Sequence, residues 1–427
     1  MSERPLRVAY LVYRGNPHCG GQGVYTRALA NELTQLGHEI TVLSGPPYPD
    51  LVHPDQLWEV PGLDLYRARN PFRIPWPHEL RDRIDLGEFA IMAVAGYPEP
   101  WGFSMRARQL LRDRRGDFDL VHDNQCLGTG LLDMMRTDGW PVVATLHHPI
   151  TVDRDLDLAH ASNALRRLSL RRWYSFLDMQ MRVMRAIPRI LTVSESSRGD
   201  IVDQMGVPAE NLHVVPVGTD PAVFRPLPQV ARVPGRLMTT ASADVPLKGL
   251  AHLLEALAKI RAERDDVHLV VIGRPKPKSK IPALIDRLGI AEHVEFVKGI
   301  TTERIVELYA EAELACVPSL YEGFSLPAVE AMACGVPVIG TTGGAVPEVL
   351  GRDNETGLIV PAGDADALAQ GILRALADPL LRARVGAAGR ERALTNFTWR
   401  RTAEGTAEHY RVLLEQHERD RRDAHRC

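Results

Sequence analysis

The chain has 427 residues, 45% of them hydrophobic and 25% charged, with a formal net charge of −3 at pH 7. These values exclude a fibre, a disordered chain and a protein held to nucleic acid by a basic surface, and the length favours two domains of roughly 200 residues over a single core. No run of ~18 apolar residues is present, so no membrane-spanning helix is expected.

Met1–Pro5 leads directly into an apolar strand, without the basic and apolar segments of a secretion signal. Cys19, Cys126, Cys316, Cys334 and Cys427 are scattered, odd in number and without metal-ligand spacing, which fits a reducing cytoplasm. Arg7–Tyr13 reads as a strand, Val24–Leu36 as a helix and Glu39–Leu43 as a second strand, a parallel crossover unit of Rossmann type. The loop between them carries Gly20-Gly21-Gln22-Gly23, but Thr26 stands where a dinucleotide fingerprint needs its third glycine. The second strand ends in Leu43-Ser44, with no acid for a ribose diol, so the loop reads as tight backbone beneath a phosphate or sugar, or simply as a turn.

Gly45 to Trp101 is irregular and rich in Pro and aromatics, suited to short elements and a lid on the acceptor side. Ser104–Arg115 reads as a helix, and Asp119–His122 and Pro141–His147 as strands ending on histidine. Each of those histidines is either packed and hydrogen-bonded or faces a ligand beyond the strand end. Asp155–Ala186 reads as one long helix whose arginines stand beside Leu, Trp and Tyr. It suits either a core helix with a solvated edge or peripheral contact with anionic lipid on the inner membrane face. Three Asp-x-Asp matches, at 117–119, 153–155 and 364–366, do not end apolar strands and are not read as metal sites.

Ile190–Val193 and Leu212–Val215 are strands, and the prolines between Pro216 and Val233 break the composition as a linker does. Residues 1–216 are therefore expected as the first Rossmann-like domain and 217–400 as the second, with the helix of about 400–427 packing back onto the first. Strands are expected at 236–240, 268–272, 293–297, 314–317, 336–340 and 357–360, alternating with helices.

The richest stretch is Pro318 to Ile339. The strand Leu314–Val317 runs into turn residues, then into a short helix from Leu326 to Cys334 with Ser325 as N-cap and Pro327 in its first turn. Unpaired N–H groups at that helix start favour an anion. Lys248 and Arg274, each following a strand of this half, would complete a cationic cradle for a diphosphate. Glu322 and Glu330 lie too far apart along the chain to attack one atom, so they are expected to contact the sugar end and the ribose diol of one extended ligand.

Glu322-Gly323-Phe324-Ser325-Leu326-Pro327 through Glu330-Ala331-Met332-Ala333-Cys334-Gly335 resembles the E-x7-E region of retaining glycosyltransferases of family 4. Gly20-Gly21 with the following helix, Thr192-Val193-Ser194-Glu195, Pro216–Asp220 with Phe224, and Gly343-Gly344 with Pro347-Glu348 resemble further motifs of that family, though Val217 replaces a usual asparagine. The resemblance implies a GT-B fold, two Rossmann-like domains facing across a cleft. It also implies metal-independent, retaining transfer of a hexosyl group from a nucleotide-diphosphate sugar, such as a UDP- or GDP-sugar, with no resident cofactor. Lys248, Glu322 and His147 would be the catalytic groups. The donor would touch Gly20, Gly21, Lys248, Arg274, Ile300, Glu322, Gly323, Phe324, Ser325, Leu326 and Glu330, and the acceptor would be a saccharide, lipid or small molecule. Ser242-Ala243 occupies the place of the family's Gly-Arg pair, whose arginine clasps the diphosphate. That departure leaves open a non-catalytic partner subunit or sugar-nucleotide binder, and more remotely an epimerase of the same fold.

Overall fold

The computed structural model describes residues 4–16, 21–67, 70–159, 161–240 and 245–424. The chain forms two compact units, one of residues 1–193, 198–215 and 402–427, the other of residues 194–197 and 216–401.

The first unit opens with β1 (Arg7–Val12), α1 (Gln22–Gln35), β2 (Glu39–Ser44), β3 (Leu57–Glu59), a small hairpin β4 (Tyr66–Arg67) and β5 (Asn70–Pro71), α2 (Arg83–Ala93) and α3 (Glu99–Arg112). It continues through β6 (Leu120–Asn124), α4 (Gly130–Arg136), β7 (Val142–Leu146), α5 (Thr151–Ala159), α6 (Ala164–Trp173), α7 (Phe176–Met184), β8 (Arg189–Thr192), α8 (Glu195–Met205) and β9 (Leu212–Val214). Seven parallel strands form one sheet in the order β3-β2-β1-β6-β7-β8-β9. Val8 through Val12 are fully buried, the continuous apolar run required of a strand covered by helices on both faces.

The segment read as irregular contains α2, whose buried positions are Asp85 and Glu88 with a single apolar residue, Ile84. Arg106 of α3 pairs with both, at 2.6 Å to Asp85 Oδ1 and 2.8 Å to Glu88 Oε1, so the two helices are joined by a buried ion cluster. α3 starts at Glu99, five residues before the expected Ser104, because Pro100 fits its first turn and Glu99 is anchored to Arg14. The long helix expected over Asp155–Ala186 is three helices. Asn163 caps α6 by accepting from Arg166 N at 2.8 Å, and α6 ends at Trp173, before Tyr174 and Ser175. Arg166, Arg167, Arg171 and Arg172 are exposed while Leu170 and Leu177 are buried, the solvated-edge pattern. No described helix is long and apolar enough to cross a membrane.

The second unit is built from β10 (Arg236–Thr240), α9 (Leu250–Arg261), β11 (His268–Ile272), α10 (Ile281–Leu288), β12 (Val294–Val297), α11 (Thr302–Glu311), β13 (Leu314–Val317) and α12 (Leu326–Ala333). β14 (Val338–Thr341), α13 (Val346–Leu350), β15 (Leu358–Val360), α14 (Ala365–Ala377), α15 (Pro379–Asn396) and the start of α16 (Trp399–Ala424) complete it. Its six-stranded parallel sheet has the order β12-β11-β10-β13-β14-β15. From Thr402 onward α16 belongs to the first unit, where Tyr410 Oη lies 2.6 Å from His122 Nδ1.

In both sheets the order reverses beside the first strand, at β1/β6 and at β10/β13. A parallel sheet opens a crevice beyond the carboxyl ends of its strands at such a switch point, so each unit has one position where a ligand is expected.

Candidate active site

The second unit's switch point gathers most of the expected donor residues. After β10 a single 3-10 turn, Pro246–Lys248, leads into α9 through Gly249, whose φ of 66° is left-handed. A Cβ on Gly249 would meet Pro318 O at 1.8 Å, so only glycine lets this turn lie against the loop after β13. Leu320 N donates to Leu247 O at 2.7 Å and locks the two loops together. Lys248 Nζ then reaches both oxygens of Glu322, at 2.8 and 2.7 Å, and Ser319 Oγ donates to Glu322 Oε1 at 2.8 Å. The Glu322 side chain is 7% exposed and that of Lys248 33%, so the carboxylate is fixed while the ammonium remains reachable from solvent.

Gly323, Phe324 and Ser325 carry the chain from Glu322 into α12. The carbonyl of Gly323 accepts from Ser194 Oγ at 2.7 Å and Ser197 Oγ at 3.1 Å, both within this unit. Glu348 accepts from Glu195 N and Ser196 N in the same unit. Ser325 is the N-cap residue but makes no side-chain cap, contrary to expectation. Its fully buried hydroxyl has no partner among the described residues. The first turn of α12 thus keeps the positive pole and free N–H groups of an anion site. Glu330 lies one turn before the end of α12, and burial pushes its carboxyl up to about 8. Ile300, after β12, packs with Phe324 and Ile272 against the second unit's core. Arg274 is exposed at the end of β11. Ala243, the position of the missing arginine, lies outside the described residues.

At the first unit's switch point the hydrogen-bonding groups are His147, Asn124 and Thr26, and Arg14, two residues beyond β1, is paired with Glu99. His147 directly follows β7, and its Nε2 lies 2.8 Å from Asn124 Oδ1 at the end of β6. Asn124 Nδ2 donates to Thr26 Oγ1 at 3.3 Å, which orients the amide and selects the Nε2–H form of His147. The ring stands edge-on to Tyr25 with centroids 4.5 Å apart, and Gln125 Oε1 accepts from His147 N at 3.0 Å. Burial, with a smaller contribution from His148, lowers His147 to about 3, so it is an uncharged hydrogen-bonding group at pH 7 and not a proton donor. Gly21 is the N-cap residue of α1 at φ 74°, and Gly20 lies outside the described residues.

Lys248, Glu322, Gly323, Phe324, Ser325, Leu326 and Glu330 therefore share one end of the second unit's sheet with Arg274 and Ile300, while Gly21 and His147 belong to the first unit. His122 does not end a strand. It is the third residue of β6, fully buried, with Tyr410 Oη and Thr145 Oγ1 on its two nitrogens, so it is a core residue. The Asp-x-Asp acids are structural: Asp119 pairs with Arg4 and Arg7, and Asp364 caps α14. No group of three or more His, Cys, Asp or Glu able to hold a metal occurs among the described residues. Ser319 and Asn124 carried no signal in the sequence, because each acts through a neighbour fixed by the loop's shape or distant along the chain, and Thr26 stood out there only as a departure from the dinucleotide fingerprint.

Comparison with known proteins places these two halves. Residues 231–392 match the family described as "Glycosyl transferases group 1" and residues 19–223 the one described as "Glycosyltransferase Family 4". The chain is 50% identical over 410 residues to the "MMP alpha-(1->4)-mannosyltransferase" of Mycolicibacterium hassiacum, covering 96% of this chain and 98% of that one. It is 27% identical over 444 residues to the D-inositol 3-phosphate glycosyltransferase of Kribbella flavida, covering 97% of each. Sucrose-phosphate synthase from Thermosynechococcus elongatus shares the GT-B fold, with a TM-score of 0.72 at 23% identity over 96% of this chain and 100% of that one. Anabaena HepE, solved in complex with UDP, does so with a TM-score of 0.69 at 18% identity over 95% and 100%. Neither the partner-subunit reading nor the epimerase reading draws support from these relatives. The chain belongs to glycosyltransferase family 4 and is a nucleotide-sugar-dependent hexosyltransferase.

Proposed function

We propose that the enzyme moves a mannosyl group from a nucleoside-diphosphate mannose to the 4-hydroxyl of a saccharide, with retention of the anomeric configuration. The observation that carries this reading is the 50% identity, over nearly the whole chain, to a protein named as an α-(1→4)-mannosyltransferase. A (1→4) linkage implies an acceptor ring with a free 4-hydroxyl, which favours a saccharide over a lipid headgroup.

In this reading the donor occupies the second unit. Its diphosphate meets the N–H groups at the start of α12 and the Lys248 ammonium, with Arg274 in the place of the arginine missing at Ala243, and needs no resident metal. In the ligand-free protein Lys248 and Glu322 neutralise each other. An arriving diphosphate competes for Lys248, whose flexible stem and partial exposure let it turn, and this frees one face of Glu322 for the sugar hydroxyls. Ser319 keeps its hydrogen bond throughout and holds the carboxylate in position. Glu330 takes the ribose diol. The acceptor belongs to the first unit, where His147 and the Asn124 amide offer neutral hydrogen-bonding groups. With the Nε2–H form of His147 unable to take up a second proton at pH 7, the departing phosphate is the base for the acceptor hydroxyl.

The test is incubation of the full chain with GDP-mannose, UDP-mannose and the matching glucose donors, with methyl α-mannoside and α-(1→4)-mannooligosaccharides as acceptors, in EDTA. The product is analysed by proton NMR. A new α-(1→4)-mannosyl link formed in EDTA is expected. Transfer of glucose in preference to mannose, a β product, or transfer only with added metal would overturn the assignment.

A further inference from the structure

The first unit carries an aromatic cluster that no part of this chemistry uses. The rings of Tyr66, Phe72, Tyr97, Trp173 and Phe176 form a continuous set. Trp173 lies 5.3 Å from Tyr66, 5.7 Å from Phe72 and 5.0 Å from Tyr97, and Tyr97 lies 5.3 Å from Phe176, centroid to centroid. A set of rings this size is normally interior, yet Phe72 is 59% exposed and the other four are only partly covered. Their hydroxyls are turned inward: Tyr66 Oη donates to Gly96 O at 3.0 Å and Tyr97 Oη to Glu99 Oε2 at 2.7 Å. What the cluster offers to solvent is therefore ring carbon, a π surface that attracts the C–H face of a pyranose.

Its position follows from two tethers. Glu99, which holds Tyr97, also accepts both of its hydrogen bonds from Arg14, two residues beyond β1, at 2.9 and 2.8 Å. Trp173 and Phe176 lie on α6 and α7, in the segment that follows His147. The cluster thus bridges the elements leaving β1 and β7, the strands whose ends lead to Gly21 and to His147. Arg67 of the β4–β5 hairpin and Arg73, just after it, line an open groove of about 510 Å³ together with Glu79, Asp82 and Gln109. That volume is in the range of small-molecule sites, roughly 300–1,000 Å³, and its walls are rich in planar polar groups suited to vicinal hydroxyls.

We propose that this aromatic shelf is a distal acceptor subsite that stacks sugar rings of an oligosaccharide, so that the enzyme elongates a chain in preference to a single sugar. The proposal rests on the saccharide-acceptor reading and names the length of acceptor it takes. Exposed rings flanked by hydrogen-bonding side chains match a saccharide better than a lipid surface. Trp76, four residues beyond Phe72, adds another exposed ring, while Ile74, between them in sequence, and Leu165 and Leu168 on α6 are exposed aliphatic side chains.

The experiment compares the full-length wild type with Phe72→Ser and Trp173→Ala, using methyl α-mannoside and α-(1→4)-mannohexaose as acceptors. The ratio of kcat/KM for the hexaose to that for the monosaccharide is expected to fall about tenfold or more in each variant. Binding of the hexaose without donor, followed by tryptophan fluorescence, is expected to weaken in parallel in Phe72→Ser, which alters the most exposed ring of the set and keeps the test valid if Trp173→Ala fails to fold. An unchanged ratio with unchanged hexaose binding overturns the shelf. So does loss of binding to anionic phosphatidylglycerol vesicles in Phe72→Ser with saccharide kinetics intact, which would make it a lipid contact. If the hexaose binds through Phe72 but no mannosyl donor is used, the shelf stands and the mannosyltransferase assignment fails.

Discussion

Glu330 gives the donor assignment a test with a sign and a size. Its carboxyl is held at about 8 by burial, against ~4.3 for a free glutamate, so at pH 7 roughly nine in ten ligand-free molecules carry it protonated. A ribose diol donating two hydrogen bonds favours the carboxylate and returns the pKa toward its ordinary range. Donor binding at pH 7 is then expected to release ~0.9 proton, and affinity to rise up to about tenfold per pH unit until it levels off near pH 8. Folding shows the opposite dependence. The folded state binds the extra proton between pH ~4.3 and about 8, so this group's contribution to stability is greatest below that window and declines as pH rises through it, by up to ~1.4 kcal/mol per unit. The assay is titration calorimetry with the sugar nucleotide, which has no group of its own titrating near neutrality, in phosphate and in Tris at equal pH. The difference in apparent enthalpy counts the protons. Glu330→Gln is expected to release none and to bind with flat pH dependence between 6 and 8. A wild type that releases no proton, or a Gln variant that releases as many, refutes the ribose assignment.

Glu322→Gln is expected to lower kcat by ~10²-fold or more while the donor still binds, since the charge that meets the sugar is lost and the hydrogen-bonding shape retained; unchanged turnover would remove Glu322 from the chemistry. Ser319→Ala is expected to cost about 1 kcal/mol in urea unfolding and to reduce kcat more than donor affinity, because it leaves Lys248 as the remaining partner of Glu322 Oε1 without removing the charge. Gly249→Ala combines a left-handed φ with a Cβ placed 1.8 Å from Pro318 O, and is expected to destabilise by ~3 kcal/mol or more in thermal melting, with Lys248 displaced. His122→Phe is expected to lose ~1–3 kcal/mol by leaving Tyr410 Oη and Thr145 Oγ1 buried without their partner, at unchanged donor affinity. The wild-type His122, held at about 3 by burial, is a base whose folded pKa is depressed. It therefore removes stability as pH falls from ~6.5 toward 3.

The parallel alternation of strands and helices was legible because buried strands such as Val8–Val12 and Leu314–Val317 are continuous apolar runs, and because glycine and proline punctuate them. α2 was not legible, since two of its three buried residues are Asp85 and Glu88, with Ile84 the third, and the partner of the acids is an arginine on another helix. Apolar periodicity cannot report a helix docked by charge. The break of the 155–186 stretch depends on Asn163 acting as a cap, which is one residue's signal inside an otherwise helical composition. The Glu322 stretch was legible as an anion site with acids nearby. The pairing of Glu322 with Lys248 was not, because 74 residues separate them and only the seating of Gly249 on Pro318 brings the two loops together.

On the reading proposed above, two sheets of nearly the same strand order serve different ligands, and the groups at their switch points differ in charge. Beside β10 and β13 stand Lys248, the start of α12 and Arg274 at the neighbouring strand end, groups that can compensate a diphosphate. Arg14, two residues beyond β1, is taken up by Glu99, and the hydrogen-bonding groups beside β1 and β6, Gly21, Thr26, Asn124 and the neutral His147, carry no charge at pH 7. A diphosphate placed among them would lose its hydration without gaining a counter-charge, whereas sugar hydroxyls exchange water for amide and imidazole partners at little cost. Thr26 makes the same point at one residue. Where a dinucleotide fold keeps glycine for close helix packing, this chain keeps a fully buried hydroxyl that accepts from Asn124, and through Asn124 it sets the tautomer of His147. The residue that breaks the nucleotide fingerprint is thus part of what holds His147, the histidine proposed for the acceptor side.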